Sequence, residues 1–438
     1  MAAKGSGGDL AQEAKVASHS TGEDADPEER QGEPVRFLTP RLLWLLPLLL
    51  LSIVLGGWFL RTQKVNPTAT GPGAVSYRVA LPTGPWGELD YVPISIEPPE
   101  EFLTVSVQMS HPLVWTFKGY SVAALNELIA ASKLKGVERD WLMDQRNWEI
   151  TPEKIVVRPP PDLVVGMDTA ARRHIYGGLS ECGDNALQEA PLSFRVGGAT
   201  DWFRESALPL SALDLTRRLI YPRGNALCLS DWPVILQSID SLEERRRFLK
   251  VTSRQASILL RLQMNQDSDV DALVAYWGRG GRNKDIRPLL QSLKQVEGGV
   301  TVDVSHLLPR FVRARIYNYP YPIEKGAKTV TPNCFWTAMN FFNDTPVDKY
   351  VDPEQMRTKL AKDYFPVEEP LLMGDVLLLS RANGTLVHAA NYIAADVVLT
   401  KNGALHTQPW IYTKMEDLAA CYPSDEPLKL RSYRRKGF

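Results

Sequence analysis

The chain has 438 residues, 44% hydrophobic and 23% charged, with a formal net charge of −1. Those are ordinary values for globular protein, and the length admits two or three domains, each with its own core. A charge so near zero excludes a nucleic-acid binder held mainly by phosphate contacts.

Residues 1–40 carry eight acidic and four basic side chains and few large apolar ones, so an acidic, disordered tail is expected there. Residues 42–60, LLWLLPLLLLSIVLGGWFL, contain no charge and lie between Arg41 and Arg61. At about 1.5 Å per residue this run matches the ~30 Å hydrocarbon core, with Trp44 and Trp58 placed for the two interfaces. A retained transmembrane helix over 41–61 is expected, in contact with membrane lipid. A cleaved signal peptide fits less well, because a long polar stretch comes first and no small-residue cleavage site follows. Arg30, Arg36 and Arg41 on one side balance Arg61, Lys64 and Arg78 on the other, so charge does not orient the span. A short tail and a large C-terminal body favour a single-pass protein with its body outside the cytoplasm. Residues 62–76 read as a Pro/Gly/Thr linker.

Residues 77–165 alternate short apolar runs with Pro and Gly, which predicts a β-rich region with one helix around Tyr120–Leu134. Residues 166–310 read as mixed and mainly helical, with helices over 242–264 and 285–296. The second carries a core-facing stripe of Ile286, Leu289, Leu290, Leu293 and Val296. Asp267, Asp269 and Asp271 begin like a calcium loop. Ala272 and Gly278 stand where such a loop needs Gly and Glu, so the acids are expected to cap a helix instead. The GRGGR run at 278–282 lacks a preceding strand and a Gly-Lys-Ser/Thr, and reads as a turn. No cofactor motif and no metal-ligand cluster is evident, and neither is expected.

The C-terminal third carries the chemistry. In TPNCFWTAMNFF (331–342), Asn333 is a good N-cap, which puts Cys334 in the first turn of a helix. Free N–H groups and the helix dipole there favour a thiolate. Downstream, Asn383-Gly384 and Asn402-Gly403 mark turns between short strands. The first hairpin pairs Val376–Ser380 with Thr385–Ile393, so His388 lies inside a strand, on one face with Ala390 and Tyr392. A helix-borne Cys beside a strand-borne His is the arrangement of thiol catalysis, with a third polar group orienting the ring.

The sequence Asn-Cys-Phe-Trp at a helix start, a Gly-Asp opening an apolar strand, and His-Ala-Ala-Asn-Tyr resemble the NlpC/P60 and CHAP branches of the papain-like cysteine peptidases. The resemblance covers about 310–425. It implies an α+β fold overall, with the anchor, a mixed α/β middle and a papain-like domain over 311–427. It implies hydrolysis of peptide amide bonds, typically in bacterial cell-wall peptides, with Cys334 as nucleophile and His388 as general base. Backbone N–H groups at the helix start would hold the oxyanion. The usual Asp-Cys-Ser-Gly is here Asn333-Cys334-Phe335-Trp336. The third position falls on Thr400 in simple register, with Asn402 preferred, two residues on and on the same face, and His406 a little further. Tyr319 and Tyr321 precede the nucleophile and are candidates to polarise the substrate carbonyl; packing is the plainer role for each. A bacterial inner-membrane hydrolase is one expectation; the other is a tethered binding module on the same fold. Cys182 and Cys228 could pair, leaving Cys421 over. The basic run 428–438 is expected to be a frayed, solvated tail.

Overall fold

The computed structural model describes residues 78–438 apart from 104–112, 196–202, 204–205, 225, 322–329 and 438. Residues 76–438 form one compact unit. The expected tail, anchor and linker of 1–76 lie outside the described residues. Among the described residues no helix is long and apolar enough to cross a membrane. Helices as long as Thr169–Ser180 and Asn283–Lys294 have 12 residues, only about 18 Å of rise against the ~30 Å of hydrocarbon core. The single-pass membrane protein with an inner-membrane location is therefore not supported; the expected lipid contact falls on 42–60, outside the described residues. The fold is corrected to mixed α/β.

A four-stranded antiparallel sheet is built from β1 (Val79–Ala80), β2 (Glu88–Ile96), β3 (Gln255–Met264) and β4 (Val300–Asp303), in that order. β2 and β3 pair without slippage from Glu88↔Gln263 to Ile96↔Gln255. Helix was expected over 242–264, but it ends at Thr252 and Gln255–Met264 is strand. In that strand Ile258, Leu260, Leu262 and Met264 are buried in alternation, which a partnered β2 rewards and a helix would scatter. Asp269 caps Val270–Trp277 by accepting the N–H groups of Asp271 and Ala272, as the failed calcium motif suggested.

The middle of the chain folds around its own core, which includes Trp115, Phe117, Ile175, Tyr176, Tyr221 and Phe248. A second core runs from Leu81, Leu89 and Leu260 to Val397, Trp410 and Tyr412, so the β1–β4 sheet and the C-terminal sheet share buried surface.

The C-terminal sheet has six strands: β5 (Tyr364–Val367), β6 (Val376–Ser380), β7 (Leu386–Ala394), β8 (Val397–Lys401), β9 (Trp410–Lys414) and β10 (Lys429–Arg435). Their spatial order is β5-β10-β6-β7-β8-β9. The basic tail is thus not frayed, because β10 fills the slot between β5 and β6. Arg434 holds it there by donating to buried Asp375, Nη2 to Oδ2 at 2.7 Å.

Helix α1 (Cys334–Met339) lies on this sheet, and every one of its six residues is buried. Two bonds fix it. Asn391 Nδ2 donates to the Ala338 carbonyl at 3.1 Å, and Trp410 Nε1 donates to Thr337 Oγ1 at 2.9 Å. All four cysteines are free, so Cys182 and Cys228 do not pair.

Candidate functional site

Cys334 enters α1 because Asn333 caps it. The Asn333 Oδ1 accepts Trp336 N–H at 2.9 Å, and its Nδ2 donates to the Val351 carbonyl at 2.8 Å. The sulfur meets β7 where β7 and β8 part. Tyr392 N–H donates to Asp375 O in the direction of β6. Strand alternation then turns the N–H of Ala389 towards β8. β8 pairs with β7 only from Asn391↔Leu399 onward, so it does not take that N–H. The backbone N–H groups of Ala389, Phe335 and Cys334 itself draw the thiol's pKa down.

His388 sits one residue earlier and is fully buried. Its Nε2 is 2.6 Å from Thr400 Oγ1, and the Thr400 hydroxyl donates to Asn402 Oδ1 at 3.3 Å. Asn402 Nδ2 in turn faces Cys421 Sγ at 3.6 Å. The directions determine one another. A hydroxyl whose only proton goes to Asn402 can accept from the ring, so Nε2 carries the imidazole hydrogen. This tautomer is assigned from the network. Nδ1 then bears the lone pair, and no hydrogen-bond partner meets it. The Tyr422 ring stacks on the imidazole at 4.3 Å between centroids, and its own buried hydroxyl is likewise unpartnered.

The side chain that meets the ring is thus Thr400, the residue in simple register, and the preferred Asn402 stands one step behind it. β8 ends at Lys401, which leaves Asn402 in the turn. His406 is removed from consideration: its Nε2 lies 2.8 Å from the Phe102 carbonyl. Tyr319 and Tyr321 pack edge-on against the same Phe102, at 6.4 and 5.9 Å. These three side chains gather around Phe102 rather than at Cys334 or His388.

Burial sets the electrostatics. It pushes the Cys334 thiol up to about 11, against the pull of the backbone N–H groups and of Lys401. The expected thiolate is thus not the resting form, because a six-residue helix offers less than the loss of water removes. Burial also lowers His388 to about 3. Thiol and imidazole rest as a neutral pair, with no hydrogen bond between them. The site is closed: Cys334 is 6% exposed and His388 0%. Its outer end is open, however. Asn402 and Cys421 line a cavity of about 350 Å³ together with Ser95, Arg254 and Ser257. With Tyr422 they also line a second cavity, of about 220 Å³.

Sequence reasoning missed Tyr422 and Lys401. Tyr422 follows α3 (Met415–Ala420) in an irregular stretch with no periodicity to flag it. Lys401, just before an Asn-Gly turn, reads as a solvated lysine. Among the described residues no cluster of three or more His, Cys, Asp or Glu could hold a metal ion. Comparison with protein-family models, with curated proteins and with solved structures finds no match for this chain.

Proposed function

We propose that the C-terminal sheet and α1 form a thiol hydrolase of peptide amide bonds, with Cys334 as nucleophile and His388 as general base. One observation carries this reading. A buried chain of donors runs from His388 through Thr400 to Asn402 and leaves the Nδ1 lone pair without a partner, on the residue next to Ala389 of the Cys334 cluster. Buried polar atoms are normally satisfied, and one left open on a buried imidazole is a place for a proton to go. The thiol proton passes to Nδ1 and the sulfur attacks the amide carbon. The imidazolium then returns the proton to the leaving amine, and water hydrolyses the thioester. Thr400 holds the ring through Nε2 during both transfers. Opening must precede the first step, because neither reacting group is exposed.

A noncatalytic binding module is favoured by one observation, the burial of both groups, Cys334 in a cluster with Phe335 and His388 under the Tyr422 ring. Incubation of the full chain with peptide amides, including cell-wall stem peptides, separates the two. The hydrolase reading expects turnover, and an acyl adduct on Cys334 seen by mass spectrometry. Both should be lost in Cys334→Ala, and turnover should fall at least a thousandfold in His388→Ala. No Cys334-dependent turnover on any peptide, together with alkylation of Cys334 that ignores His388→Ala, would leave the binding module standing.

A further inference from the structure

Lys401 is 0% exposed, which is unusual for a lysine without a charged partner. Its Nζ donates to the carbonyls of Gly403 at 2.8 Å and Leu405 at 3.0 Å and stands 5.8 Å from the Trp410 ring centroid. Two of its three protons are thereby used. No carboxylate among the described residues pairs with it. A buried ammonium held only by neutral groups is a cation without its counter-ion.

The position suggests the counter-ion. Lys401 ends β8 near α1: the Trp410 ring that faces its ammonium donates Nε1 to Thr337 Oγ1, three residues along the helix from Cys334. We propose that Lys401 is a positioning residue for the thiolate: its ammonium, fixed by the 403–405 turn, is the counter-ion of the Cys334 sulfur once the thiol proton has moved to His388 Nδ1. No bond to Lys401 forms or breaks; its charge is the same before and after the transfer. The inference rests on the hydrolase reading for its purpose, but the charge coupling can be observed without turnover.

The mutual effect is consistent with this geometry. Burial lowers Lys401 to about 7 while the thiol pulls it the other way, and Lys401 in turn draws the thiol down. The other ionisable groups around the sulfur are His388 on β7, Tyr422 after α3, and Tyr350 and Tyr364 in the same apolar cluster. Burial holds His388, Tyr364 and Tyr422 neutral near pH 7, so Lys401 is the cation that changes charge there.

The test is iodoacetamide alkylation of Cys334 in the full chain from pH 6 to 8, mapped by mass spectrometry, for wild type, Lys401→Arg and Lys401→Met. An ordinary thiol below its pKa reacts tenfold faster per pH unit. In wild type the rise should be shallower than tenfold, because the cation is lost as hydroxide increases. Lys401→Arg keeps its charge and should show the full tenfold rise, with a rate at pH 6 within threefold of wild type. Lys401→Met should react at least tenfold more slowly at pH 6. A full tenfold rise in wild type overturns the inference even if both variants fail to fold. So does a folded Lys401→Met that matches wild type. Peptide turnover is measured on the same samples. A shifted alkylation profile without turnover would remove the hydrolase reading and keep the ion pair; turnover with an indifferent profile would do the reverse.

Discussion

Arg172, Asp231 and Tyr176 are as deeply buried as His388, Thr400 and Lys401, but their polar atoms are occupied very differently. In the middle region the charges are paired: Arg172 Nε lies 3.3 Å from Asp231 as an ion pair, although it makes no hydrogen bond, and the Tyr176 hydroxyl donates to the same carboxylate at 2.7 Å. The remaining guanidinium nitrogens donate to the carbonyls of Arg218 and Val164. In the C-terminal sheet the imidazole keeps one open nitrogen and the ammonium has no anion. A network whose charges are paired rigidifies a core; one with an unpaired cation and an open lone pair is incomplete until something reacts or binds there.

Perturbing the paired network should change stability alone. Asp231→Ala strands a buried guanidinium and should cost about 3–5 kcal/mol in urea unfolding, with turnover per folded molecule unchanged. A change in turnover at constant folded fraction would break the contrast. The open network should answer in the opposite way. Thr400→Val preserves shape but removes the acceptor from Nε2. Turnover should fall about 10²–10⁴-fold, with about 1–3 kcal/mol lost from the unsatisfied ring nitrogen. Asn402→Ala, one step further out, should lower turnover less than tenfold. If Asn402→Ala proved the more damaging, the third position would return to Asn402.

The pH dependence of stability isolates the imidazole. His388 is lowered to about 3 in the fold from an ordinary value near 6.5. Between these values the unfolded chain binds a proton that the folded one does not, so acid favours unfolding. His388 should contribute a loss of about 1.4 kcal/mol per pH unit as pH falls from 6.5 towards 3. His388→Gln, which cannot titrate, should flatten that slope by about the same amount. An unchanged slope would mean the ring is solvated in solution. The smallest effect is expected at the helix anchor: Trp410→Phe deletes the bond to Thr337 and should cost about 1 kcal/mol in thermal or urea unfolding.

Much of the C-terminal sheet was legible in the chain. Asn-Gly turns, two-residue alternation and the Asn333 cap foretold the Val376–Ser380 hairpin, the face shared by His388, Ala390 and Tyr392, and the start of α1. Those signals are local, because turn chemistry and capping involve residues only a few positions apart. Gln255–Met264 is strand rather than helix because its alternation follows within three residues of the helical pattern of Leu242–Thr252, and only pairing with β2 separates the two. The basic end was misread for a related reason: Lys429–Arg435 looks like a solvated tail until β5 and β6 leave a slot between them.

The sequence by itself determined the candidate groups, Cys334 at a capped helix start and His388 inside a strand twelve residues before Thr400. Tertiary structure alone decided their states. Only the packing of α1 on the sheet brings Cys334 into one cluster with Ala389. Only the surrounding core removes the water that would have kept the thiol, the imidazole and Lys401 near their ordinary protonation. Desolvation depends on every neighbour at once, so it is not carried by any short stretch of the chain.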